Sequence, residues 1–233
     1  MKIIKRDKSI IPACDKIPLE KLEEIVKVSA KFEEVGAYKI GFYLGLKYSL
    51  PRIVEIIRKY TQKPIIYDHQ KAGTDIPDMG RKLVELCKEI GIDALIIFPQ
   101  SGPETEKSCI EAAKEYGIGI LVGGLMTHPK YKRSEGGFIE DKAIMEIYSI
   151  AANLGVDNFV VPGNKPDEIK RIREFLIGKG INPTFYAPGF ISQGGKLSEA
   201  AKVAGDNWHA IIGRAIYNAE NIEKAILELS KEI

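Results

Sequence analysis

Short apolar runs recur along this chain, and each ends in a charged or glycine-rich turn. The run-ends fall at Asp15, Lys39, Asp68, Phe98, Gly124, Gly163, Pro188 and Gly213, between 24 and 39 residues apart. Each interval has room for a loop and one amphipathic helix. Eight strand–loop–helix units in 233 residues predict a closed α/β barrel, the (β/α)8 or TIM barrel, near the small end of its size range. The predicted strands are Ile10–Cys14, Tyr38–Gly41, Pro64–Tyr67, Ala94–Phe98, Gly119–Gly123, Asn158–Val161, Thr184–Ala187 and His209–Ile212. Their apolar residues are nearly continuous, as in parallel strands covered on both faces.

The segments between have helical spacing. Ile222, Ala225, Ile226, Leu229 and Ile233 form one stripe of a closing helix. Pro18, Pro51, Pro103 and Pro166 stand where helices should begin, a position that tolerates proline. The longest loop runs from Gly123 to about Gly137. No linker or low-complexity tract divides the chain, so residues 1–233 are expected to form a single domain.

A net charge of +2 gives no reason to expect nucleic acid or a membrane surface as a partner, and leaves a small anionic ligand open. No apolar run approaches the roughly 18 residues of a membrane span. The charged segment Met1–Asp7 does not read as a signal peptide. Cys14, Cys87 and Cys109 are isolated and form no Cys-x-x-Cys pair, which argues against a disulfide framework or zinc site and fits a cytoplasmic setting.

Three places could carry chemistry. The densest is Asp68-His-Gln-Lys71-Ala-Gly-Thr-Asp75 after the third strand, with Lys39 ending the second. Two lysines and two aspartates at one patch of the barrel mouth would hold one another ionised. A surface ion-pair network uses the same residues, but the strand-end positions of Lys39 and Asp68 favour a site. The second place is Pro188-Gly-Phe-Ile-Ser-Gln193-Gly194-Gly195 after strand seven, with Gly213-Arg214 after strand eight. Barrels commonly cradle phosphate with glycine amides there, and Arg214 adds a forked cationic donor. The third is Met126-Thr127-His128-Pro129, where Thr127 could meet a heterocycle edge or merely cap a turn. The three histidines are scattered, so no metal is placed. A Ser-His-Asp triad has no serine at a strand-to-helix elbow.

With these residues in view, the chain resembles the orotidine 5′-monophosphate decarboxylases, (β/α)8 enzymes that convert orotidylate to UMP and carbon dioxide without a cofactor. The resemblance runs from Ile11 to about Leu229. It rests on Pro188-Gly with Gln193-Gly-Gly, on Ile212-Gly-Arg-Ala-Ile-Tyr217, on Tyr38-Lys39-Ile-Gly41, and on Asp15 closing strand one. It implies that Lys39 and Asp15 hold the ribose hydroxyls, that Asp68 faces the substrate carboxylate, and that Lys71 protonates the carbon that loses it. It also implies that Asp75, followed by Ile76-Pro77, serves the neighbouring site of a homodimer. Thr127 would contact the pyrimidine, and Gln193, Gly213 and Arg214 would bind the phosphate, with Pro188 and Gly194 beside them. Cofactors and metals are expected to be none.

The sequence departs from that family at three points. The family spacing Asp-x-Lys-x-x-Asp is here Asp68-x-x-Lys71-x-x-x-Asp75, and a one-residue shift within a strand would reverse side-chain direction. Met79 stands for a threonine and Phe98 for a histidine. Two other readings stay open. One is a magnesium-dependent sugar-phosphate decarboxylase or synthase of the same superfamily; the other is a nucleotide-binding paralogue that has lost catalysis.

Overall fold

The computed structural model describes residues 1–69, 75–191 and 193–233. Eight parallel strands close into a barrel in sequence order. They are β1 (Lys8–Cys14), β2 (Tyr38–Gly41), β3 (Ile65–Asp68), β4 (Ala94–Ile97), β5 (Gly119–Gly123), β6 (Asn158–Val160), β7 (Thr184–Pro188) and β8 (Trp208–Ile212). Closure is made by β1 against β8, from Lys8↔Trp208 to Pro12↔Ile212. Every predicted strand is present, with ends moved by two residues at most.

The helices are α1 (Leu19–Ser29), α2 (Phe42–Tyr48), α3 (Leu50–Arg58), α4 (Pro77–Ile90), α5 (Pro103–Tyr116), α6 (Asp141–Asn153), α7 (Pro166–Gly178), α8 (Leu197–Ala204), α9 (Arg214–Tyr217) and α10 (Ile222–Ser230). One helix per interval is therefore not the pattern throughout. The β2–β3 crossover holds α2 and α3, separated by Ser49 in a positive-φ conformation (φ +66°) that no α-helix accommodates. The chain after β8 likewise folds into α9 and α10. Pro103 and Pro166 open α5 and α7, Pro51 is the second residue of α3, and Pro18 caps α1.

Both strand faces are buried, but into different cores. Ile11, Ala13, Ile66, Ile96, Leu121, Val160, Tyr186 and Ile211 fill the barrel interior. The opposite faces pack with the helices in a larger shell that includes Leu22, Ile57, Val84, Ile144, Leu176 and Ile226. Each fully buried aliphatic side chain of this shell contributes about 1.5–3 kcal/mol relative to exposure. The α10 stripe is as predicted: Ile222, Ile226 and Leu229 are buried, and Ile233 packs against the core just beyond the helix. At the N-terminal end of the barrel, Ser9 Oγ lies 2.8 Å from His209 Nδ1, both fully enclosed, with the Tyr186 ring 4.9 Å from the imidazole. His209 is thus a structural residue, remote from the loops that follow the strands.

Candidate active site

The interior face of β2 carries a lysine, Lys39, in a barrel interior that is otherwise mostly apolar. Strand register explains what it meets. Ala13 pairs with Lys39 and Gly41 pairs with Asp68, so Lys39 rises between β1 and β3 toward the mouth. Its ammonium lies 2.6 Å from Asp15 Oδ1 and 2.6 Å from Asp68 Oδ2. Lys39 is 4% exposed and Asp68 2%, whereas Asp15 is one-third exposed. Burial alone would push the Lys39 ammonium down, but Asp68 and Asp15 outweigh it and hold its pKa above the usual lysine value. Gly41 makes the arrangement possible: a Cβ there would stand 2.3 Å from Asp15 Oδ1.

This triad forms one wall of a cavity of about 330 Å³, within the size range of small-ligand sites. Pro188, Gln193, Gly213 and Arg214 line it from the C-terminal ends of β7 and β8 and the segments that follow, and Thr127 and His128 from the loop after β5. Phe98, Val160 and Ile211 supply apolar wall. The Phe98 ring abuts Gly123, whose missing side chain gives it room: a Cβ would be 2.2 Å from the ring. The cavity therefore joins a cationic and amide-rich mouth to a desolvated ion cluster, with apolar surface between them. Burial pushes the nearby Cys14 thiol up to about 12, so it is not a nucleophile at neutral pH.

The residues expected at the site divide accordingly. Asp15, Lys39, Asp68, Thr127, Pro188, Gln193, Gly213 and Arg214 converge on this cavity. Lys71 lies outside the described residues. Asp75 does not join Lys39 and Asp68, contrary to the expected patch of two lysines and two aspartates. It sits on a separate groove with Met79 and Thr105, its backbone carbonyl accepting from Thr105 Oγ1 at 2.8 Å. Ile76 is 61% exposed beside it, and Gly194 is exposed near the cavity without lining it. Asp15 takes the place that Asp75 was expected to fill in the ion cluster. Among the described residues, no group of three His, Cys, Asp or Glu side chains could hold a metal ion. None of the helices described is long and apolar enough to cross a membrane.

The sequence profile of the "Orotidine 5'-phosphate decarboxylase / HUMPS family" matches residues 8–229. The chain belongs to this family. It is 34% identical over 212 residues to the orotidine 5'-phosphate decarboxylase of Methanosarcina mazei, covering 91% of this chain and 90% of that one. The Methanosarcina barkeri enzyme of the same name is 36% identical over 214 residues, covering 91% and 89%. Among solved structures, the Methanocaldococcus jannaschii decarboxylase in complex with the inhibitor BMP superposes with a TM-score of 0.84 at 24% identity, covering 97% and 99% of the two chains. The Pyrococcus horikoshii decarboxylase gives 0.77 at 25% identity, covering 96% and 99%.

Residues to which the sequence assigned no role also shape the cavity. Tyr217 reaches it from α9 with its hydroxyl pKa raised by burial. Phe190, after β7, packs edge-on to Trp208 at 6.1 Å and fills the space left by Gly163, where a Cβ would clash at 2.5 Å. Asn164 stands just behind the wall and bonds two of its loops. The sequence offered Gly163 as a run-end and Tyr217 in the last motif, but no signal for the chemistry of either neighbourhood.

Proposed function

We propose that the cavity binds orotidylate and decarboxylates it to UMP and carbon dioxide. The observation that carries this reading is the buried Asp15–Lys39–Asp68 cluster at one wall, facing the Gln193, Gly213 and Arg214 side of the same cavity. Phosphate contacts at Gln193, Gly194, Gly213 and Arg214, beside Pro188, supply binding energy remote from the reacting carbon. Lys39 and Asp15 hold the ribose hydroxyls, and Thr127 meets the pyrimidine edge. The substrate carboxylate is thereby held against Asp68, a carboxylate already fixed by Lys39. The bond from the ring carbon to the carboxylate breaks, the electron pair stays on the ring, and carbon dioxide leaves. Lys71 then delivers its ammonium proton to that carbon. No step draws on a cofactor.

Asp75 and Ile76 serve the neighbouring subunit's site in a homodimer. Their position outside this chain's own cavity, with Ile76 and Met79 both half or more exposed, supports that reading. A reducing cytoplasmic setting is supported by the three cysteines, each free and buried. The decarboxylase name of the methanogen relatives favours this reaction over the sugar-phosphate alternative.

The test is ultraviolet absorbance of orotidylate with purified protein in excess EDTA, for wild type and Lys71→Ala. Rapid loss by wild type, with UMP as product and none for the variant, is the expected outcome. Tight UMP binding without turnover would identify a silent paralogue. Neither turnover nor binding would turn attention to magnesium and sugar phosphates.

A further inference from the structure

The loops that follow β5, β6 and β7 converge on one point, the space above the Gly189 Cα. A side chain there would lie 2.9 Å from Thr127 Cγ2 and 3.3 Å from both Asn164 Oδ1 and Gln193 Oε1. Gly189 has a φ of +105°, so crowding and backbone conformation both demand glycine. Of the three side chains, Asn164 ties the loops together. Its amide nitrogen donates to the Thr127 carbonyl at 3.1 Å and, over a longer 3.4 Å, to the Gln193 carbonyl. Its Oδ1 is buried with no hydrogen-bond partner among the described residues. The same loop also grips the end of β7, through the Gly163 amide to the Pro188 carbonyl at 2.7 Å.

We infer that Asn164 is a positioning residue that couples the Thr127 segment to the Gln193 segment, so that heterocycle and phosphate are gripped together. This rests on the nucleotide reading above. One side-chain amide carries two donors and can satisfy two carbonyls at once. Holding both loops in advance lowers the ordering cost when a ligand spans them. A ligand that lacks the phosphate engages one loop and gains little from the coupling.

The experiment uses Asn164→Leu, which keeps the bulk and removes donors and acceptor, in wild-type and Gln193→Ala backgrounds. Calorimetry gives affinities for UMP and uridine, and steady-state kinetics separates KM from kcat for orotidylate. With Gln193 present, UMP affinity is expected to fall about tenfold, the scale of one or two neutral hydrogen bonds, with KM rising similarly and kcat changing less. Uridine affinity should stay within about twofold, and so should UMP affinity on adding Asn164→Leu to Gln193→Ala. Equal losses for UMP and uridine, or additive losses in the two backgrounds, would overturn the coupling. Asn164→Ala provides the same comparisons if the leucine variant does not fold. Failure of the wild type to bind UMP would overturn the nucleotide reading and this inference with it, whereas wild-type binding with additive losses overturns the inference alone.

Discussion

Glu106 sits in the first turn of α5, 1% exposed, with neither carboxylate oxygen finding a hydrogen-bond partner among the described residues. Burial pushes its pKa from 4.5 up to about 8, opposed in part by the backbone of Ala151 on α6. The unfolded chain releases this proton near 4.5, while the native protein keeps it until about 8. The native state therefore binds more protons across that window, and stability falls as pH rises. The linked contribution is complete below pH 4.5 and gone above about 8. At about 1.4 kcal/mol per pH unit, the loss between pH 4.5 and 7 amounts to about 3 kcal/mol. Glu106→Gln keeps the shape and removes the titration. Urea unfolding, followed by the fluorescence of the fully buried Trp208, should give a variant that gains about 3 kcal/mol on the wild type over that range. The absolute difference at any one pH is less informative, because the glutamine amide is also buried. A stability difference that stays constant from pH 4.5 to 7 would refute the reasoning.

The remaining predictions concern the barrel floor and the cavity. His209 is held down to about 3 by burial, so the unfolded chain takes up its proton near 6.5 while the native protein does not. Its contribution is present above pH 6.5 and lost as pH falls, by about 2 kcal/mol at pH 5; His209→Gln should remove that acid slope in the same unfolding series. Because His209 and Glu106 act with opposite sign between pH 5 and 7, the wild type should look flatter than either variant. Gly41→Ala places a methyl group against Asp15 Oδ1 and should weaken UMP binding about tenfold, the scale of a lost charge-assisted hydrogen bond; unchanged affinity by calorimetry would remove Asp15 from the site. Arg214→Ala should cost about ten- to hundredfold in UMP affinity and little in uridine affinity; equal losses for the two ligands would displace the phosphate from Arg214.

The barrel was legible because its strands are buried on both faces and its helices on one, a contrast that leaves apolar runs punctuated by turns. Lys39 and Asp68 were legible for the same reason: a charged residue closing a buried strand can only stand at the mouth. What the residue pattern could not show is which charges meet. Asp75 lies seven residues from Asp68 yet belongs to the α4–α5 groove, while Asp15 arrives from β1 because Gly41 leaves room for it. Asn164 was invisible for a different reason. Its partners are backbone carbonyls 37 and 29 residues away, and a carbonyl has no residue signature.

The residues that flank the lengthened motif, Asp68 and Asp75, are both fixed. An extra residue inside a strand would turn every later side chain to the opposite face. The ladder excludes that up to the strand end: Asp68 still pairs with Gly41 on one side and Ile96 on the other, and the His69 amide still donates to the Ile96 carbonyl at 3.3 Å. The far end is fixed as well, since the Asp75 carbonyl is held by Thr105 and Pro77 begins α4. β3 thus keeps its register through Asp68, and α4 its start at Pro77, with the longer spacing in place. Proton delivery by Lys71 is tested by the Lys71→Ala comparison: turnover retained by the variant would remove Lys71 from the mechanism.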